Sequence, residues 1–234
     1  MPFGQLRKNL LSGNMYCGLP IMMALLVTCP LDDEIVTIVL DDCPSDIGQI
    51  QRILFQRVFS APGTRNTMTF ANASVEGTWD TLFAASDSTK VQISPLIAAP
   101  NTEPGEAIEY GSGNEVPDGI PVVVGREYTG FDAQLLRQHA KTIGSLKGLE
   151  GETKLGVYLV SEHGYIWGET TNATTPADFM PIPIVGFFVG DRKIGGFQEP
   201  DRNQIKWKFP PNWSDRIVPA IPSGFDPLSD FTNP

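Results

Sequence analysis

Twenty-three glycines and twenty prolines interrupt this chain along its whole length. Punctuation that dense leaves little room for long helices. Proline removes a backbone donor and collides with the preceding turn, and glycine weakens the interior of any element. A coiled coil and a helical bundle are excluded, and many short elements joined by turns are expected. A hydrophobic share of 41% with 19% charged residues belongs to a folded chain, and 234 residues suffice for one large β-rich domain or two small ones. The predicted fold class is mainly β (α+β): a β-sandwich or barrel with one or two flanking helices, a long acidic loop and extended terminal arms. The organisation follows as an arm or edge segment over 1–30, a single β-rich domain over 31–209 and a proline-rich arm over 210–234.

Seventeen Lys and Arg stand against 27 Asp and Glu, a formal charge of −10. Tight nucleic-acid binding neutralises phosphates with basic side chains, and the longest basic runs here are the pairs Arg7-Lys8 and Arg192-Lys193. The one relation to DNA that such a surface permits is repulsion. Cys17, Cys29 and Cys43 form no CxxC pair, and only His139 and His163 could join them on a metal. Reduced, buried or incidental thiols are expected, with no metal and no cofactor. Leu19 to Thr28 (LPIMMALLVT) mimics a signal peptide and Leu26 to Cys29 a lipobox. Pro20 and the long lead-in argue against cleavage, and the run is too short to span a bilayer. It reads as a strand or arm.

Ile35 to Leu40 (IVTIVL) is predicted as a strand. Ile47, Ile50, Ile53, Leu54 and Val58 recur at helical spacing behind Ser45, which predicts a helix over Asp46 to Phe59. Strands are expected at Thr67 to Ala71, Thr78 to Ala84, Lys90 to Ala98, Ala107 to Tyr110 and Ile120 to Tyr128. Asn101 to Gly119 carries Glu103, Glu106, Glu109, Glu115 and Asp118 and no basic residue. It reads either as a solvated acidic loop or hairpin, or as an arm that reaches a neighbour or lines a channel. Phe131, Leu135, Leu136, His139, Ile143 and Leu146 make one apolar stripe, predicting a second helix capped by Asp132 and closed at Gly148 or Gly151. Leu155 to Val160 followed by Tyr165 to Gly168 reads as a hairpin, and Phe179 to Val189 as a bent, proline-notched strand. Asn203 to Phe209 alternates strictly, as a half-buried strand does. From Pro210 onward, prolines at 211, 219, 222, 227 and 234 predict no regular structure.

Chemistry is hard to find. The chain has no G-x-S-x-G elbow, phosphate loop, H-E-x-x-H or calcium loop. Gly111-Ser112-Gly113 is a turn, since Val116 stands at the third glycine position of a dinucleotide fingerprint. Glu162 and His163 at a hairpin tip, or Glu162 and Glu169 beside aromatics, are the only acid–base candidates, and a non-catalytic reading is preferred. Tyr165, Trp167, Trp207 and Trp213 either fill a core or interface or form a sugar-stacking platform.

Phe131 to Lys147 (FDAQLLRQHAKTIGSLK) running into Leu155 to Trp167 (LGVYLVSEHGYIW) resembles the bacteriophage major tail tube family and its relatives in head–tail connectors and tail terminators. Gly195-Gly196-Phe197 leading to Gln204 to Asp215 (QIKWKFPPNWSD) is similar to virion proteins of phages of Bacteroidetes-type hosts, crAss-like ones included. The resemblance implies a virion subunit, assembled in the host cytoplasm, that forms hexameric rings stacking into a tube. It implies homo-oligomeric contacts, contacts with other virion proteins, and DNA passing through an acidic lumen without sequence-specific binding. Glu103, Glu106, Glu109, Glu115 and Asp118 would then lie on an inter-subunit loop, and Trp213, Ile217, Ile221, Phe225 and Phe231 on a C-terminal locking arm. Two readings from other classes stand beside it: a secreted carbohydrate-binding β-sandwich and a small hydrolase using Glu162.

Overall fold

The computed structural model describes residues 46–111, 113–116 and 119–231. The segment over 1–30, the strand expected at Ile35 to Leu40, the three cysteines and Asp118 lie outside the described residues.

The first described element, β1 (Ile50–Arg57), is a strand where the apolar spacing predicts a helix. Its neighbours explain the difference. Ile53 and Phe55 join one core while Leu54 joins another, so both faces are buried and no period of two survives in the sequence. A tight hairpin of β2 (Phe59–Ala61) and β3 (Thr64–Arg65) follows, then β4 (Met68–Thr69). Thr69 caps the single-turn helix α1 (Phe70–Ala73), its side chain accepting from the Asn72 amide at 3.3 Å. Helix α2 (Glu76–Ala84) replaces the strand expected at Thr78 to Ala84. Trp79 and Phe83, four residues apart, put both aromatics on one buried helix face, and that packing overrides the β preference of Thr and Trp.

Strands β5 (Val91–Ile93), β6 (Ala98–Glu103), β7 (Ala107–Tyr110), β8 (Val122–Arg126) and β9 (Thr129–Leu136) come next. The predicted second helix is thus a strand in its first half. Phe131, Ala133 and Leu135 alternate inward on β9, and Arg137 turns the chain through a left-handed φ of 53°. Only then does helix α3 (Ala140–Lys147) begin. His139 is its N-cap rather than part of an apolar stripe, Nδ1 accepting from the Lys141 amide at 3.1 Å. β10 (Leu155–Ser161) and β11 (Ile166–Glu169) form the expected hairpin. The notched stretch resolves into β12 (Asp178–Phe179), β13 (Ile182–Pro183) and β14 (Val185–Val189). β15 (Arg202–Phe209) alternates as predicted. Beyond Pro210 the chain does form structure, a short 3-10 turn at Trp213–Arg216 and then β16 (Ile217–Ala220). Pro219 is tolerated there because β16 is an edge strand.

The fold is mainly β, as the sequence predicts. One sheet runs β16-β11-β10-β1-β5, with β13 also on β10, and the other runs β14-β15-β9-β6. Their facing side chains meet in a sandwich core, where the Phe55 ring lies 5.0 Å from Phe187 and 6.3 Å from Trp207 across the gap. The first sheet is covered again on its far side. Leu54, Tyr158, Val160 and Ile166 pack there against Trp79, Phe83, Phe179 and the C-terminal Phe231. Central strand β10 is therefore buried at every position. Gly168 serves this layer by close approach, since a Cβ there would stand 2.5 Å from the Phe179 ring.

Candidate functional site

β6 and β9 pair along the edge of the second sheet up to Glu103 and Gly130, and the ribbon then continues past the sandwich. The Glu127 amide donates to the Glu106 carbonyl at 2.9 Å, and β7 pairs with β8 from Ala107 opposite Arg126 to Tyr110 opposite Val122. Gly105 permits the crossing at the root, because a Cβ there would collide with the Glu127 carbonyl. The bulge between Ile108 and Glu109 leaves Val124 without a partner opposite and raises the local twist. Near the tip, Val116 tucks under Gly111, whose φ of 77° and missing side chain make the room.

Every residue of β7 is exposed, and so is almost all of β8. The register puts Ile108, Tyr110 and Val122 on one face of the ribbon and Glu109 and Val123 on the other. Tyr110 is 61% exposed, Val124 62% and Ile120 67%, with Val122, Val123 and Tyr128 close behind. A two-stranded ribbon with no layer on either face is marginal in water. Contiguous exposed apolar side chains mark an interaction surface.

Glu103, Glu106, Glu109 and Glu115 are all exposed on this arm or its root. No carboxylate of the four lies within ion-pair distance of a cation among the described residues. The acidic residues are what the sequence singles out. The apolar side chains between them escape it, because Ile120 to Tyr128 reads as a strand and a strand's pattern does not tell which layer covers it. The signal was a valine run directly after an acidic turn segment.

The five C-terminal residues are placed differently. Trp213 stacks on Phe209 at 4.2 Å, and Ile217 packs against the sandwich core. Phe231 is buried edge-on to Phe83 at 4.9 Å with Phe225 beside it, and only Ile221 of the five is exposed. Arg52 Nη1 donates to the carbonyls of Pro227 and Phe231 at 2.9 and 3.0 Å, tying the segment down. Through Phe231, then, this segment is folded back on its own sheet.

The remaining candidates are structural in their surroundings. Trp167 and Trp207 lie in the sandwich core, with Tyr165 and Trp213 packed against it, so the four aromatics form no open platform. Glu169 is buried and ion-paired to Arg65 at 2.7 Å and Arg216 at 3.3 Å. His163 Nε2 is 3.9 Å from Glu162 on an exposed turn. The Tyr158 hydroxyl, which burial holds protonated well beyond the ordinary tyrosine range, donates to Gln56 Oε1 at 2.9 Å. Burial pushes the Asp178 carboxyl up, but hydrogen bonds from the Thr171 amide and the Thr170 and Thr171 hydroxyls outweigh it and leave it below the usual aspartate range. Among the described residues no group of three or more His, Cys, Asp or Glu could hold a metal ion, and no helix is long and apolar enough to cross a membrane.

No family model matches the chain, and no curated protein matches it. Among solved structures, one similarity is to the tail of an empty GTA particle computed with helical refinement in C6 symmetry. It is 12% identical, covers 52% of this chain and 82% of that chain, and has a TM-score of 0.32, a level at which likeness carries no argument.

Proposed function

We propose that this chain is a structural, non-catalytic subunit of a phage virion, in its most specific form a tail tube protein whose hexameric rings stack around a DNA channel. A connector ring, a tail terminator and a capsid accessory protein are the neighbouring forms of the same reading. The observation that carries the proposal is the β7–β8 arm. It projects apolar side chains on both faces, lacks a covering layer among the described residues, and is rooted in the rigid edge of a sandwich. A monomer gains nothing from such an arm, whereas a self-assembling subunit buries it against the next copy. The sequence resemblance points the same way and supplies the phage, the ring and the Bacteroidetes-type host. The formal charge of −10 suits a wall that DNA slides past.

The test is an arm-shortened variant in which residues 106–127 are replaced by a two-residue turn. Light-scattering mass across concentration and negative-stain images should show rings or tubes for the full chain. The variant should remain a folded monomer with an unchanged thermal melt. Assembly of the variant equal to that of the full chain would overturn the role of the arm.

A further inference from the structure

On the reading that the arm is an assembly element, its seat on the next copy can be sought on this chain. The outer face of the second sheet follows from its register. One row across it is Glu103, Gly130, Lys208 and Val185, and the next is Asn101, Asp132, Lys206 and Phe188. Each row runs from an acidic or polar edge beside the arm's own root, through a lysine on β15, to an exposed apolar residue on β14. Val185 and Phe188 are 42% and 45% exposed, with Lys206 Nζ 5.1 Å from the centre of the Phe188 ring. Neither Lys206 nor Lys208 has a carboxylate within ion-pair distance among the described residues. Gly130 and Gly186 place no side chain on this face, and a hollow of about 320 Å³ opens between them, bordered by Glu103, Asp132, Gln204 and the two lysines.

The arm is the complement of this surface. Its exposed acids are Glu106, Glu109, Glu115 and Glu127 against the one cation Arg126, whose Nη1 already donates to Asn212 Oδ1 at 2.9 Å. Two arms facing one another would bring like charges together, which disfavours arm-to-arm pairing. A face offering two unpaired ammonium groups beside apolar side chains favours the arm instead. We infer that the β7–β8 arm of one copy seats on the β14–β15 half of the outer sheet face of a second copy. Ile108, Tyr110 and Val122 cover Val185, Phe188 and the hollow, and Glu106 and Glu127, opposite one another on that same face of the ribbon, face Lys206 and Lys208. Arm and seat are different patches of one surface, so the contact is head-to-tail and propagates to a ring or filament rather than closing as a two-fold dimer.

Two singly disabled chains test this. One lacks the arm as above and keeps its seat. The other carries Lys206→Glu and Lys208→Glu, both on an exposed strand face, and keeps its arm. Neither should assemble alone, but the mixture should give a discrete one-to-one heterodimer by light scattering and go no further. Raising the salt should weaken that heterodimer, because only its apolar part is unscreened. A chain carrying Lys206→Glu, Lys208→Glu, Glu106→Lys and Glu127→Lys together should recover assembly that the seat change alone weakens about ten-fold or more. No heterodimer, or a seat-reversed chain that assembles like the full chain, overturns the inference. Loss of assembly on arm removal would in that case leave the arm's role standing with its seat elsewhere. Unchanged assembly on arm removal would instead bring down the reading of function itself.

Discussion

β10 and the β7–β8 arm are both apolar β structure, and they differ in what covers them. Leu155–Ser161 is buried at every position, with the second sheet on one face and Trp79, Phe179 and the C-terminal segment on the other. Ala107–Tyr110 and Val122–Arg126 carry Ile, Tyr and Val of similar character and, among the described residues, lie open on both faces. The first strand finds all its partners within the chain. The second does not among the described residues, and on the proposed function its partner is another molecule. The contrast makes stability and assembly separable properties here.

Changes in the covered region should act on stability and be independent of concentration. Trp79 is fully buried, and its Nε1 donates to the Ala73 carbonyl at 2.9 Å. Trp79→Ala should cost about 3–5 kcal/mol, read as the largest fall in denaturant midpoint of the series. Phe231→Ala should cost roughly 2–3 kcal/mol, since the half-buried Phe225 and Leu228 beside it can partly close the cavity. It should also expose 221–231 to proteolysis, which an intact melt and an uncut tail would contradict. Tyr158→Phe removes the donor to Gln56 Oε1 inside the core and should cost about 1–2 kcal/mol by chemical denaturation.

Changes in the open region should reverse that balance. Val122→Thr on the arm should leave stability within about 0.5 kcal/mol while weakening assembly. A stability loss matching that of Tyr158→Phe would mean the arm is packed and the comparison false. The smallest effect concerns pH. The Asp178 carboxyl is held below its ordinary value, so its contribution is present at neutral pH and lost as pH falls through the ordinary aspartate range toward the depressed one. Asp178→Asn should lower stability at neutral pH slightly and flatten the acid limb of a stability–pH curve.

The same contrast explains what could be read in the sequence. Where one face is buried and the other wet, the alternation is visible, as in Gln204, Lys206 and Lys208 against Ile205, Trp207 and Phe209 on β15. Where both faces are buried, as at Ile53, Leu54 and Phe55, consecutive apolar residues fit a helix as well as a strand. Phe131 to Leu146 held two elements in one apolar stripe, and the break between them is a left-handed Arg137, which no residue preference announces. Trp79 and Phe83 show the converse, β-favouring residues carried on a helix by an i, i+4 face. The acids of the arm were legible because charge runs stand out. Its apolar side chains were not, since their exposure among the described residues depends on which layer packs on the strand and not on Val122 or Tyr110 themselves. The tail's prolines suggested an open arm, and Arg52 with its two carbonyl acceptors, more than 170 positions away, is what holds that segment down.

The most direct measurement is hydrogen exchange followed across protein concentration, comparing amides of Leu155–Ser161 with those of Ala107–Tyr110 and Val122–Arg126. The account predicts slow exchange in β10 at every concentration, and arm amides that exchange fast when dilute and become protected as the scattering mass rises. Arm amides protected equally in the dilute monomer, or still unprotected in the assembled fraction, would contradict it.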